Sequence, residues 1–284
     1  MHGHHHPPPE KARARRIADV RRPGASIDPE HHRWSQWSPA AMIAAGPRDV
    51  AAFVTGAIRP LGGGLRVLEV GCGTGYLSLE LARAGHAVTA IDPGADGIAI
   101  ARKTGLRSGR HVDLRETTFG RFRAPAASFD AIVFNLSLHH VPGLPSVMRK
   151  TRRLLRAGGR IVVHDFAYDR MEGKTMTWFH EVETLLSGRP GGDAPKAIGR
   201  ALGEWREKYG AHHLHRYAAL VRNLRGSFRQ DAFACVPHLF VLLGNTLDRA
   251  RHARWLPFLR AMEEHRIAEG SIEPLAYRFV GTAR

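Results

Sequence analysis

Three glycines and one aspartate are the first residues whose types and spacing could do chemistry. Gly71, Gly73 and Gly75 directly follow the apolar run LRVLEV, and Asp92 ends the next apolar run, AVTAID. A glycine turn lets backbone N–H groups approach a ligand closely because no Cβ intervenes. A carboxylate at the end of a second strand can accept both hydroxyl hydrogens of a ribose. Together these residues predict a pocket for a nucleoside-like ligand.

The spacing of the glycines distinguishes this turn from two phosphate-binding motifs. The dinucleotide fingerprint is G-x-G-x-x-G, whereas the order here is G-x-G-x-G and Tyr76 comes next. The lysine followed by Ser or Thr that grips a triphosphate in a P-loop is absent from the turn. The predicted ligand therefore carries no pyrophosphate.

A second group of candidate residues follows a later apolar run. In the stretch NLSLHH, His139 and His140 come just past the predicted fourth strand, and either imidazole could take a proton from an acceptor. The alternative is that a histidine here only hydrogen-bonds its own loop. Asp165, in the stretch VVHDF at the end of the predicted fifth strand, lies at the same edge, where it could orient a substrate or cap the next helix.

Elements that alternate between strand and helix position these residues. The predicted helices lie between short β-rich runs, which favours right-handed βαβ units and a parallel sheet covered on both faces. We predict an α/β fold: a doubly wound, Rossmann-like, mostly parallel seven-stranded sheet. The seven predicted strands are LRVLEV, AVTAID, HVDLRETTF, FDAIVFNL, RIVVHDF, AFACVP and PLAYRFVGT.

The pattern divides the chain into four segments. Residues 1–33 hold a histidine tract, prolines and alternating charge, and are predicted to be a disordered basic tail. Residues 34–166 form the Rossmann-like core, and residues 167–230 read as helices without a strand between them, which predicts a helical cap over the site. Residues 231–284 are expected to complete the core sheet.

Four stretches of this sequence together resemble one known family. VLEVGCGTG, AIDPG, FDAIVFNLSLHHV and LLRAGGRIVVHDF are similar to the class I S-adenosylmethionine-dependent methyltransferases. The resemblance covers about residues 40–166 and the last strand, and it implies S-adenosyl-L-methionine as the cofactor. It also implies that Glu69 and the glycine turn face the amino acid part of that cofactor.

Further site residues follow from the same resemblance. Asp92 would hold the ribose, and Asn135 with Leu136 would line the pocket beneath the sulfonium. Family members often have an acidic residue after the third strand that reads the adenine amine, and Thr118 stands at that place here. Thr118 is expected to contact the cofactor without supplying that charge.

Composition restricts the partners and the compartment. The 284 residues include 42 Lys and Arg against 26 Asp and Glu, a net charge of +16, so nucleic acid has to be considered as a partner. Because the arginines are spread over all segments, and no D/N-P-P-aromatic loop follows the fourth strand, base methylation is disfavoured. No run is long and apolar enough for a membrane span. Two cysteines and a polar start predict a cytoplasmic protein.

The resulting functional hypothesis is methyl transfer to an oxygen or nitrogen of a small organic acceptor, with no metal and an unspecified oligomeric state. Three alternatives stay open. The first is chemistry at the methionine Cγ of the same cofactor, by aminocarboxypropyl transfer or cyclisation. The second is an RNA-modifying methyltransferase, and the third is a regulatory subunit that only binds the cofactor.

Overall fold

A computed structural model describes residues 46–108, 111–188, 194–210, 214–244 and 255–283. It contains one seven-stranded sheet in the order β3-β2-β1-β4-β5-β7-β6. The first five strands are parallel to one another, and β7 runs antiparallel between β5 and β6. The predicted seven-stranded, mostly parallel α/β fold is confirmed. The strands are β1 Arg66–Val70, β2 Ala87–Asp92, β3 Asp113–Glu116, β4 Phe129–Asn135, β5 Leu155–Phe166, β6 Arg229–Val236 and β7 Ala276–Thr282.

Helices connect the strands and cover both faces of the sheet. Among the described residues, three helices lie between β5 and β6, within the segment expected to form a cap, and two more lie between β6 and β7. In chain order the helices are α1 Pro47–Ile58, α2 Tyr76–Arg83, α3 Ala95–Ser108, α4 Leu144–Leu154, α5 Gly173–Ser187, α6 Ala194–Gly210, α7 Tyr217–Ser227, α8 Leu239–Gly244 and α9 Leu256–Ala268.

Alternate residues of the central strands pack into two different hydrophobic cores. Val67 and Val133 point to one side, where helices α1 and α2 pack. Leu68 and Phe134, one residue further along, point to the other side, where helices α4 and α7 pack. This period of two follows from the pleat of a strand and explains why the parallel strands are apolar along their whole length.

A third core joins the inserted helices to the end of the sheet. Phe166 and Tyr168, which follow β5, pack there with Trp178 of α5, and Leu239 and Leu259 of helices α8 and α9 complete the cluster. The inserted helices therefore share one packed interior with the last two helices. Helices α5 to α7 lie between β5 and β6. That this inserted segment caps the site stays a prediction.

Several element boundaries follow from local backbone geometry. Helix α4 ends at Leu154, because Leu155 has extended backbone and already pairs with Phe129. Pro257 lies in the first turn of α9, where its missing N–H costs nothing. Helix α8, Leu239–Gly244, was not predicted, since six apolar residues carry no helical period. The predicted tail, residues 1–33, lies outside the described residues.

Among the described residues, no helix combines the length and the apolar character that a bilayer crossing demands.

Candidate functional site

The glycine turn after β1 has backbone geometry that favours glycine at three positions. Gly71, Gly73 and Gly75 have φ angles of +77°, +52° and +77°, in the left-handed region. A Cβ built on Gly71 would lie 2.4 Å from the Cβ of Ser137. The N–H of Gly71 donates to the carbonyl oxygen of Ile91 at 2.8 Å, so the turn is fixed to the end of β2.

Asp92 is bonded to this turn directly. Its Oδ2 accepts the N–H of Gly73 at 2.9 Å and its Oδ1 accepts the N–H of Gly94 at 2.7 Å. Each oxygen of an ionised carboxylate has two lone pairs, so each can accept one further hydrogen bond. The carboxylate is therefore oriented by the backbone and still able to bind a pair of hydroxyl groups.

Glu69 is buried and does not line the open cavity between the strand ends. Its side chain is 1% exposed, and its carboxylate accepts a hydrogen bond from the Ser78 hydroxyl of helix α2. Burial raises the pKa of Glu69 to about 7, a rise that the Ser78 hydrogen bond opposes and the nearby Asp92 charge adds to. Glu69 is consequently a group whose charge can change near neutral pH.

The residues after β4 form the second wall of the site. Asn135 ends the strand, and its buried side-chain oxygen has no hydrogen-bond partner among the described residues. Leu136 has a φ of +50°, which is uncommon for a side chain with a Cβ, and it is 39% exposed. Its N–H donates to the carbonyl oxygen of His164 at 2.7 Å. Backbone strain of this kind concentrates at functional sites.

A cavity of about 500 Å³ opens between these two walls. This volume lies within the range of small-molecule sites, and most of its wall is apolar. The lining residues are Val70, Gly71, Ile91, Asp92, Pro93, Thr117, Thr118, Phe119, Gly120, Leu136, Ser137, His140, Val141, Pro142, Ser146, Val147 and Lys150.

The loop after β3 closes one end of the cavity and is held by a lysine. Lys150 of α4 donates from Nζ to the carbonyl oxygens of Phe119, Gly120 and Phe122, the last at 2.6 Å. The same ammonium lies 4.8 Å from the centre of the Phe119 ring. Burial lowers the pKa of Lys150. Thr118 is exposed, and its hydroxyl accepts the N–H of Arg121 at 3.2 Å.

His139 and His140 occupy different environments although they are adjacent. His139 is 5% exposed; its Nδ1 donates to Oδ1 of Asp165 at 2.5 Å, and its backbone N–H donates to Oδ2 at 2.9 Å. His140 is exposed and lines the cavity. The two imidazole rings lie 4.1 Å apart between centroids. The ends of β4 and β5 are thereby joined by a buried histidine–aspartate pair.

Two more buried histidines lie near this pair. Burial lowers the pKa of His238 to about 4, helped by the nearby charge of His139 and opposed by Asp165. Burial also lowers the pKa of His164, with Arg278 adding to the effect. Both side chains are therefore neutral at pH 7, and His164 is buried in the packed interior.

The inserted segment contacts the loop that carries the two histidines. His215 donates its backbone N–H to the carbonyl oxygen of His139 at 3.0 Å, and its Nε2 bonds to the carbonyl oxygen of Val141 at 2.9 Å. The Tyr168 hydroxyl donates to the carbonyl oxygen of Leu214 at 3.0 Å. The chain just before α7 is therefore bonded to the segments that follow both β4 and β5.

The structure brings only some of the sequence-predicted residues to the cavity wall. Gly71, Asp92, Thr118, Leu136 and His140 line the cavity, whereas Glu69, Gly73, Gly75, Asn135 and His139 are not part of its lining.

Sequence reasoning missed Lys150 and His238, both of which belong to this region. Lys150 lies in an arginine-rich helix, where nothing in the spacing of the basic residues distinguishes it. His238 precedes helix α8, which was not predicted. No local signal would have found either residue. Within the described ranges, no three His, Cys, Asp or Glu side chains cluster in a way that could hold a metal ion.

Comparison with known proteins identifies similar sequences. A family model described as "Methyltransferase domain" matches residues 67–159. A ubiquinone biosynthesis O-methyltransferase from Methylocella silvestris is 44% identical over 101 residues, which are 36% of this chain and 39% of that protein. The match thus spans about two fifths of the curated relative.

Similar folds extend over most of the chain. A candidate sarcosine dimethylglycine methyltransferase from Galdieria sulphuraria superposes with a TM-score of 0.58 at 12% identity, covering 85% of this chain and 87% of that one. A geranyl diphosphate methyltransferase in complex with S-adenosylmethionine superposes with a TM-score of 0.55 at 15% identity, covering 89% and 95%. At these identities the likeness concerns the fold alone.

Proposed function

We propose that the chain transfers a methyl group from S-adenosyl-L-methionine to an oxygen atom of a small organic acceptor, and the methyltransferase-domain model that matches residues 67–159 supports this proposal. The observation that carries the proposal is the unit formed by the glycine turn and Asp92 at the edge of the cavity. The choice of oxygen rests on the O-methyltransferase name of the Methylocella silvestris relative.

The residues of the site fit an adenosyl group without a pyrophosphate. Asp92 keeps one acceptor position on each oxygen for a pair of ribose hydroxyls. Ile91, Pro93 and Phe119 supply apolar wall on the side of the β3 loop, where a flat base can pack. We assign Gly71, Gly73 and Gly75 to close approach of the backbone, and Thr118 to a contact at the base end.

Three residues are assigned to the amino acid part and the sulfonium region. Glu69, whose carboxyl can ionise near pH 7, is placed to compensate a cationic amino group through the turn above it. Leu136 contributes exposed apolar surface at the cavity wall, and Asn135 brings an unpartnered side-chain oxygen to the end of β4.

The cofactor would supply an electrophilic methyl group on a sulfonium, which is displaced in line by the acceptor. The protein then has to orient the acceptor, exclude water and take a proton from a hydroxyl acceptor. His139 and His140, at the end of β4, are the groups proposed for the proton. The helices between β5 and β6 are proposed to cap the acceptor, because the chain before α7 is hydrogen-bonded to the histidine loop.

Calorimetry with S-adenosylhomocysteine tests cofactor binding, with NAD as the matched control nucleotide that carries a pyrophosphate. We expect saturable binding of S-adenosylhomocysteine and none of NAD. Failure to bind S-adenosylhomocysteine, or equal binding of both molecules, would contradict the proposal.

Product analysis tests the reaction itself. The chain is incubated with S-adenosylmethionine carrying a ¹³C-methyl group and with catechol as the probe acceptor, and mass spectrometry follows both products. We expect a labelled methyl ether together with S-adenosylhomocysteine. Methylthioadenosine as the cofactor product would instead indicate chemistry at the methionine Cγ.

A further inference from the structure

The helices on one face of the sheet have a strongly positive outer surface. Helices α4 and α7 pack against each other on this face, and neither contains an Asp or a Glu. The loop between β3 and β4 lies beside α4, since Arg153 donates to the carbonyl oxygen of Ala124 at 3.2 Å. We name this surface the basic face, and it consists of Arg121, Arg123, Arg149, Lys150, Arg152, Arg153, Arg222 and Arg225.

This surface fits a partner whose charge is negative and regularly repeated. We propose that the basic face binds the phosphate backbone of a nucleic-acid duplex without reading its sequence. The inference goes beyond the proposed function, because it requires neither the cofactor nor the acceptor.

The cations of the basic face have no acidic partners. Its seven arginines are exposed, and none of its eight cations forms an ion pair with a carboxylate of the described residues. The hydrogen bonds that these side chains donate go to carbonyl, hydroxyl and amide oxygens. The charges also repel one another, since Arg123 and Arg153 add to the burial that lowers the pKa of Lys150. A bound anion would relieve this repulsion.

The helices on the opposite face of the sheet carry both signs of charge. Helices α1, α2 and α3 each contain an acidic residue, respectively Asp49, Glu80 and Asp96. The arginines are spread along the sequence, but the fold brings those of α4, α7 and the β3–β4 loop to the same side of the sheet. Such a separation of charge gives the surface a field that attracts polyanions.

The length and the residue type of the basic face suit phosphate groups. Helix α4 has 11 residues and is therefore about 16 Å long. A duplex of that length carries about nine phosphate charges, so each exposed arginine has a phosphate within reach. A guanidinium presents a planar fork of donors that can bind two phosphate oxygens at once. Contacts of this kind orient a protein on a duplex without specifying sequence.

The absence of exposed apolar side chains argues against two other polyanions. Proteins that bind single strands stack the bases on accessible aromatic rings, whereas Phe119 and Phe122 of the β3–β4 loop are buried. Helices that bind anionic membranes insert apolar side chains between the lipids. Among the described residues the large apolar side chains that are exposed are Leu136, Leu185, Trp255 and Phe258, and none belongs to α4, α7 or that loop. A duplex, with its bases stacked inside, requires only the phosphate contacts.

Fluorescence anisotropy with the full chain tests the proposal. Short fluorescein-labelled duplexes of RNA and of DNA, each in two unrelated sequences, are titrated between about 50 and 200 mM KCl. Contacts from about five of the eight cations would give a slope of log K against log salt concentration of about −4.5. The two sequences should bind alike. Binding of either duplex supports the proposal, and the ratio of the two Kd values identifies the preferred nucleic acid; a slope shallower than about −2 would overturn it.

A triple variant tests whether the basic face makes these contacts. Arg121→Gln, Arg152→Gln and Arg222→Gln remove one exposed arginine from each of its three elements. No side-chain hydrogen bond of these arginines occurs among the described residues, so the variant should fold, as a thermal melt would show. We expect the slope to become shallower by about 3, and the Kd at 100 mM KCl to rise at least about tenfold.

The matched control removes the same net charge from other surfaces. It combines Arg59→Gln after α1, Lys103→Gln on α3 and Arg206→Gln on α6, all of them exposed. The Kd of this control should stay within about twofold of the wild type, apart from the general effect of net charge. Equal weakening in both triple variants would show that only the net charge matters, and would overturn the assignment to the basic face.

Two further measurements address the other polyanions. Sedimentation with vesicles of equal parts phosphatidylcholine and phosphatidylglycerol tests a membrane surface, and a labelled single strand of the same length tests base stacking. Binding to the vesicles without binding to a duplex, or tighter binding to the single strand than to the duplex, overturns the proposal. Failure to bind S-adenosylhomocysteine would contradict the proposed function alone, because duplex binding requires no cofactor.

Discussion

The Asp92 carboxylate accepts the backbone N–H of Gly73 at 2.9 Å, so the acid that ends β2 is bonded directly to the glycine turn that follows β1. This bond explains why both features are needed in one site. The turn sets the direction of the carboxylate, and the carboxylate holds the turn in a conformation that few residues adopt. A ligand that contacts either residue therefore meets a preformed surface.

Replacing Asp92 with Asn tests this surface. The amide keeps the shape but brings a donor towards an N–H group and removes the charge that the ribose hydroxyls would meet. Hydrogen bonds to charged groups contribute about 1.5–3 kcal/mol, so the Kd for S-adenosylhomocysteine should rise about 10- to 150-fold by calorimetry. Asp96→Asn, in the first turn of α3, is the control and should bind normally. Equal affinity in the two variants would refute the ribose role.

Gly71→Ala probes the close approach of the turn to the loop after β4. The new Cβ would lie 2.4 Å from that of Ser137, at a φ of +77°. Strain and overlap together should lower the free energy of unfolding by about 2–4 kcal/mol in urea titrations. Gly73→Ala is the matched control, because the φ of Gly73 is also positive but no atom lies within 4 Å of the added Cβ. Its free energy of unfolding should fall by only about 1 kcal/mol. Similar losses would show that the Ser137 contact is irrelevant.

Glu263 makes stability depend on pH through helix α8. Its buried carboxylate accepts the N–H groups of His238, Leu239 and Phe240 at 2.7 to 2.9 Å. Burial nevertheless raises its pKa to about 7 from 4.5. The folded chain thus keeps a proton that the unfolded chain loses near pH 4.5, so this group's contribution to stability falls as pH rises from 4.5 to 7.

Glu263→Gln removes that titration. Between pH 4.5 and 8 the wild type should lose about 3 kcal/mol of unfolding free energy more than Glu263→Gln does, measured by urea unfolding at each pH. Glu264→Gln is the neighbouring control, because its carboxylate is 48% exposed and pairs with Arg260. It should follow the wild-type pH dependence. Parallel curves for wild type and Glu263→Gln would contradict the assignment.

The sequence predicts those parts of the site that depend on local backbone. The positive φ of Gly71 follows from a turn that adjacent residues encode. The place of Asp92 at a strand end likewise follows from the residues next to it. The pairing of His139 with Asp165 could not be predicted, because it depends on the register of β4 against β5 across a long connection. Lys150 was missed for the same reason: its partners lie about 30 positions earlier in the chain. Long-range packing, rather than motif spacing, determined these contacts.

Lys150 offers the sharpest test of the base end of the cavity. Its ammonium holds the carbonyl oxygens of Phe119 and Phe122, and the loop between them lines the cavity. Lys150→Met keeps the apolar stem and removes the donor, so the loop should loosen. We expect the Kd for S-adenosylhomocysteine to rise about tenfold, the value of one net hydrogen bond. S-ribosylhomocysteine, which lacks the adenine base, should bind the wild type and Lys150→Met with equal affinity. The control is Arg152→Met, on the exposed side of the same helix, which should change the affinity for neither ligand. If Lys150→Met weakened the binding of both ligands equally, the lysine would support the whole site instead of the loop.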